Sequence, residues 1–237
     1  MAAINDNLQA VAARIRASAL ASGRDPAMIR LLAVTKTVPA AAIREAFESG
    51  QRNFGENYVQ EALEKQSALA ASGFQGRIEW HLIGPLQSNK TRVAAEHFDW
   101  VQTVDRERVA RRLSEARSAD APPLNVLVQV NVSGEATKSG VPPAEAASLA
   151  RAIAAMPRLR LRELMAIPEP TDDRQMQLER FRTVRELFDA LNEQGLELDT
   201  LSMGMSQDLE AAVAAGSTMV RIGTAIFGER PRAKAAA

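Results

Sequence analysis

The 237-residue chain contains no cysteine, which removes disulfides, thiolate nucleophiles and thiolate metal sites and accords with a cytoplasmic location. Histidine occurs only at His81 and His97, too few for a multi-histidine metal centre, and Tyr58 is the single tyrosine. No uncharged run is long enough to cross a bilayer. Asp6, Arg14 and Arg16 interrupt the apolar residues near the start, so no signal peptide is expected either. Neither sign of charge is in excess: 29 basic residues balance 29 acidic ones, which argues against nucleic acid or an anionic membrane as the main partner. Lysine is scarce within that balance. Lys36, Lys65, Lys90, Lys138 and Lys234 are the only lysines, and all other basic residues are arginine.

One of those five sits at the end of an apolar run, Arg30-Leu31-Leu32-Ala33-Val34-Thr35-Lys36-Thr37, closed by Pro39. A run so short and apolar predicts a strand buried on both faces, as in a parallel sheet. Two readings of Lys36 follow. It lies just past the strand and reaches water, or it is an amine whose desolvation lowers its pKa so that it condenses with an aldehyde.

The same unit recurs along the chain. Apolar runs at Leu31–Lys36, Gln51–Asn57, Ile78–Gly84, Trp100–Val104, Asn125–Val132, Leu159–Ile167, Leu198–Gly204 and Met219–Thr224 alternate with helical stretches. These stretches lie near 40–49, 57–71, 88–96, 105–118, 143–155, 172–194 and 206–215. Before the first strand, Ile4, Leu8, Val11 and Ile15 mark one face of a leading helix. Strands alternating with helices imply right-handed crossovers and a parallel sheet, and eight such units match an α/β barrel of the TIM type, (β/α)8. A doubly wound open sheet is the competing topology. No linker divides the chain, so one domain over 1–237 is expected: a leading helix in 1–25, a barrel over 29–229 and a tail at 230–237.

In such a barrel the functional residues follow the C-terminal ends of the strands, with a phosphate site after strands seven and eight. Lys36, Asn57, Ser206, Arg221, Gly223 and Thr224 all fall there. Ser206 is expected to open a helix, where its hydroxyl and free N–H groups either bind an anion or merely cap that helix. Gly223 and Thr224 offer a second backbone approach and hydroxyl, or simply the turn out of the last strand. Arg221, inside an apolar strand, either faces the barrel mouth and bonds a ring nitrogen or belongs to a buried ion pair. An amine, a phosphate cup and a strand arginine are the three handles of a pyridoxal 5'-phosphate (PLP) site. A permanently charged arginine keeps the pyridine nitrogen unprotonated and weakens the ring as an electron sink. A barrel that binds another phosphorylated ligand, with Lys36 as counter-charge, is the alternative. Trp80 and Trp100 read as packing residues, His81 as a hydrogen-bonded strand residue, and His97, Arg108, Arg111 and Arg112 as surface.

Several stretches are long and unusual: Leu32-Ala33-Val34-Thr35-Lys36, Phe54-Gly55-Glu56-Asn57-Tyr58-Val59-Gln60-Glu61, the run from Trp80 to Lys90, Leu201-Ser202-Met203-Gly204-Met205-Ser206 and the run from Arg221 to Gly228. On these the chain resembles the pyridoxal phosphate homeostasis protein family, which is similar to the N-terminal barrel of alanine racemases (PLP fold type III). The resemblance implies that Lys36 carries PLP as a Schiff base. It also implies that Ser206, Gly223 and Thr224 hold its phosphate, that Arg221 faces the ring nitrogen and that Asn57 is a neighbour. It further implies a cofactor carrier and regulator that influences amino- and keto-acid pools. PLP-dependent apo-enzymes are possible recipients, and a monomer is the expected state. The second catalytic base of the racemases, a tyrosine from a separate β-domain, has no counterpart in this sequence, so enzymatic turnover is not expected; a weak amino-acid racemase is the runner-up. Three positions depart from the family pattern: Glu163 where glycine is common, Gln207 where an acid is common, and Val38 where relatives can carry a second lysine. Lys138 remains a candidate secondary amine.

Overall fold

The computed structural model describes residues 2–74, 76–134 and 139–228. Eight strands form a closed parallel barrel in chain order: β1 (Arg30–Val34), β2 (Asn53–Glu56), β3 (Glu79–Leu82), β4 (Trp100–Val104), β5 (Leu124–Val130), β6 (Leu159–Ala166), β7 (Thr200–Ser202) and β8 (Met219–Ile222). Closure occurs between β1 and β8, with Leu32 opposite Arg221. The helices are α1 (Ala2–Ala21), α2 (Ala40–Glu48), α3 (Val59–Ala71), α4 (Thr91–His97), α5 (Glu107–Ala116), α6 (Pro143–Ala154), α7 (Arg174–Glu193), α8 (Leu209–Ala214) and α9 (Thr224–Phe227). The sheet is therefore the closed barrel and not the open alternative.

Every expected strand and helix is present, and the differences lie at the ends. The first strand stops at Val34, so Lys36 stands in the turn beyond it. Ser206 does not open a helix: α8 begins at Leu209, and Asp208 is the residue preceding it. The Asp208 carboxylate accepts the Met205 N–H at 2.5 Å, closing residues 205–208 into a turn that postpones the helix. A one-residue shift separates the pairs Val126–Leu161 and Leu127–Glu163, a bulge on β6 beside one of the departures from the family pattern.

Alternation along the strands sorts the core into two regions. Outward residues such as Ala33, Phe54, Leu82, Val101, Val126 and Val220 join the large cluster beneath the helices. Inside the barrel are two smaller apolar groups, Leu32, Ile83 and Met219, and Trp100, Leu127 and Met165. The amphipathic α1 buries Leu8, Val11, Ile15 and Ala19 and lies across α8 and α9. Asn7 bonds the Ile226 carbonyl at 2.9 Å, and Arg14 grips Glu210 through two bonds of 2.6 and 2.7 Å. Trp80 and Trp100 are buried, while His97, Arg108, Arg111 and Arg112 are exposed. Lys138 and the tail 230–237 lie outside the described residues.

Candidate functional site

A cavity of about 460 Å³ opens where the C-terminal ends of the strands converge, and Lys36, Asn57, Ser206, Arg221, Gly223 and Thr224 all line it. Val34, Ile83, the segment Ile167–Thr171 and Gln177, Arg180 and Phe181 of α7 also line it. Of the positions that depart from the family pattern, Gln207 is in the lining.

Lys36 is half-buried in a four-residue turn closed by a 2.9 Å bond from Val38 N–H to the Thr35 carbonyl. The turn forces Thr37 to a φ of 65°, a left-handed conformation disfavoured for a β-branched residue. Three groups outside the turn hold it. The Lys65 ammonium donates to the Thr35 carbonyl at 2.6 Å and reaches Glu56 and Glu61 at 2.7 Å each, so its three protons have three acceptors. Glu61 in turn accepts the Thr37 N–H, and Thr35 donates its hydroxyl to Glu56 at 2.6 Å. Burial pushes the Glu56 carboxyl above its usual range, opposed by its bonds to Lys65 and Thr35. Lys65, Glu56 and Glu61 went unread in the sequence. Two signals were present: a scarce lysine four residues after a glutamate on one helix, and a carboxylate ending an apolar strand.

Close backbone approach shapes the rest. A Cβ on Gly84 would lie 2.1 Å from the Asn57 carbonyl oxygen, so the loop after β3 presses directly on the residue that follows β2. A Cβ on Gly223 would stand 3.1 Å from the Val34 carbonyl oxygen, leaving the two strand ends little room for a side chain between them. Arg221 is buried; one nitrogen donates to Ser202 Oγ and another to the Ala166 carbonyl, both at 2.8 Å. Desolvation pushes its guanidinium down to about 10, with Asp208 acting in the opposite sense, so it stays charged at neutral pH. Asp208 itself is raised by burial. No group of three or more potential metal ligands occurs among the described residues.

The chemistry is that of an anionic, aldehyde-bearing aromatic ligand. The cavity offers one amine, hydroxyls from Ser206 and Thr224, a glycine-opened backbone and a charged guanidinium fixed by two bonds. These groups fit PLP.

Residues 2–231 match the family model for the N-terminal domain of alanine racemase. The pyridoxal phosphate homeostasis protein of Pseudomonas aeruginosa is 60% identical over 230 residues, 97% of each chain. Its namesake in Escherichia coli K12 is 55% identical over 231 residues, 98% of each. Among solved structures, PipY of Synechococcus elongatus with PLP bound superposes with a TM-score of 0.81 at 36% identity, over 95% of this chain and all of that one. An alanine racemase of Clostridium difficile shares the fold at 15% identity and a TM-score of 0.73, this chain spanning 58% of its length. The chain thus belongs to the family of the alanine racemase N-terminal domain, and within it to the pyridoxal phosphate homeostasis proteins.

Proposed function

We propose that this protein holds PLP in the cavity at the mouth of the barrel and acts as a carrier and regulator of the cofactor, without robust turnover of its own. The observation that carries the reading is the convergence of Lys36, Ser206, Gly223, Thr224 and Arg221 on one cavity. PipY, similar along its whole length, has PLP bound. When bound, PLP supplies an aldehyde that condenses reversibly with primary amines. Lys36 presents the amine from its clamped turn, Ser206 and Thr224 offer hydroxyls to the phosphate beside the Gly223 backbone, and Arg221 addresses the ring nitrogen with Asn57 alongside.

Two features speak for carrying over catalysis. A charged arginine opposite the ring nitrogen keeps that nitrogen unprotonated, which weakens carbanion stabilisation. Tyr58, the only tyrosine, is 61% exposed and does not line the cavity. Transfer of PLP to apo-enzymes, a monomeric state and a cytoplasmic location belong to the same proposal. No helix among the described residues is long and apolar enough to cross a membrane.

The test is the visible spectrum of purified protein mixed with PLP, before and after borohydride, beside Lys36→Ala. The expected result is an absorption band that borohydride abolishes, with the cofactor's mass fixed on the peptide containing Lys36 and no such adduct in the variant. A protein that gains no band overturns the cofactor reading. Rapid interconversion of alanine or serine enantiomers by the same sample would overturn the carrier reading and leave the cofactor site standing.

A further inference from the structure

The interior of a (β/α)8 barrel is ordinarily filled by branched apolar side chains, yet this one carries a file of polar groups along its axis. His81, Gln102 and Ser202 are fully buried and Arg221 nearly so, and they come from four different strands. Burying so many polar groups is unfavourable unless each is bonded. Here each is. Arg221 donates to Ser202 Oγ at 2.8 Å, Ser202 Oγ lies 2.7 Å from Gln102 Oε1, Gln102 Nε2 lies 2.9 Å from His81 Nδ1, and His81 Nε2 lies 3.0 Å from Glu79 Oε1. Glu79 begins β3 at the end of the barrel opposite the cavity, with its side chain 37% exposed.

The donors in this file are determined by its two ends. Arg221 has only protons to give, so Ser202 Oγ accepts from it and turns its own proton toward Gln102. The Gln102 carbonyl must then face Ser202, and its amide nitrogen faces His81 Nδ1 and, at 3.2 Å, Met219 Sδ. Nδ1 is thereby an acceptor, and the proton of a neutral His81 sits on Nε2, directed at Glu79. The opposite orientation of Gln102 would require a proton on both His81 nitrogens and would leave the Ser202 proton without its acceptor. Burial disfavours that imidazolium; Glu79 and Asp99 favour it, Arg30 opposes it, and the net effect lowers the His81 pKa. Trp100 stacks on His81 at 5.0 Å between ring centres, holding the ring plane.

We propose that Glu79, His81, Gln102 and Ser202 form a one-directional hydrogen-bond relay along the barrel axis, running from the Arg221 cation to a carboxylate at the far rim, and that its task is to hold the guanidinium oriented at the cavity. The four are positioning residues for Arg221. Aligned bonds polarise one another in a low-dielectric interior, so each link strengthens the next. The relay's consequence for bound PLP rests on the proposed function above; the relay itself is a property of the ligand-free protein.

Two measurements test it. Nitrogen-15 NMR of the histidines in ligand-free protein, with His81 assigned by comparison with His97→Gln, is expected to show a neutral ring protonated on Nε2 at neutral pH. An Nδ1-protonated ring or an imidazolium overturns the relay whether or not PLP binds. In PLP-loaded protein, Gln102→Met keeps the volume and removes both central bonds. It is expected to weaken PLP affinity about tenfold and move the absorption maximum of the bound cofactor. Glu79→Gln, at the rim, is expected to move that maximum in the same direction and secures the test should Gln102→Met not fold. A purely structural role would lower the unfolding midpoint and leave the maximum in place. An unmoved maximum in the folded variants overturns the positioning role.

Discussion

Lys65 illustrates how a charge outside the cavity lining shapes the site. Its ammonium is buried with Glu56 and Glu61 around it and ties down the turn that carries Lys36. Breaking such a pair from one side strands a buried carboxylate, which is worth more than the pair itself. Lys65→Met is therefore expected to lower stability in urea unfolding by about 3–5 kcal/mol. Because burial already holds the Glu56 pKa above its unfolded value, the sign is determined: the loss deepens as pH rises through the folded value, and shrinks in acid, where Glu56 is protonated in both states. Adding Glu56→Gln to Lys65→Met should restore much of the lost stability. An unchanged stability in Lys65→Met would show that the buried cluster is not what holds the turn.

Strand ends and the loops that follow them meet so closely here that glycine is obligatory in places. Gly84, beyond β3, leaves no space for a methyl group against the Asn57 carbonyl just after β2. Gly84→Ala must push those two connections apart and displace Asn57 from the cavity wall. The expected outcome is a several-fold loss of PLP affinity together with a lower unfolding midpoint, read by spectral titration and calorimetry. Affinity at the wild-type level would mean that Asn57 is no neighbour of the cofactor. α1 is joined to the barrel in a different manner, by its apolar face and by Arg14 on Glu210, a half-exposed pair whose contribution is small and screened by salt.

The pH response of the folded protein sums carboxylates pulled in opposite directions. Arg14 holds Glu210 low through its hydrogen bonds; for Glu79 and Asp199, burial pushes upward but is outweighed by bonds from His81 and Arg162. The stability these three contribute is present above the ordinary carboxylate range and is lost as pH falls through their lower folded values. Glu56 and Asp208, raised by burial, contribute with the opposite sign and take up their protons first. His81, kept neutral by burial, loses stability as pH falls through the ordinary histidine range, so the thermal unfolding midpoint of ligand-free protein is expected to fall gently from neutrality to about pH 5, Glu56 and Asp208 offsetting part of the loss, and steeply below about pH 4. A midpoint that stays level down to about pH 3 would contradict this balance. Glu210→Gln should blunt the acid limb.

The order of elements and the positions of the cavity residues were legible in the sequence, because both rest on local chemistry. Alternation of short apolar runs with amphipathic stretches specifies β/α units, and a barrel places whatever follows each strand at one end. Lys36, Ser206, Arg221, Gly223 and Thr224 were singled out by that rule and their chemistry, Asn57 by the family resemblance, and all line one cavity. Ser206 as a helix opener failed because a contact between Asp208 and the Met205 N–H, invisible in propensity, postpones α8. The relay and the Lys65 clamp were hidden for a different reason. Gln102 and Ser202 lie 100 residues apart, and Arg221 a further 19 along, so nothing in the spacing joins them. Only closure of the barrel turns the inward faces of β3, β4, β7 and β8 toward one axis, where polar side chains that could each have met water must instead satisfy one another.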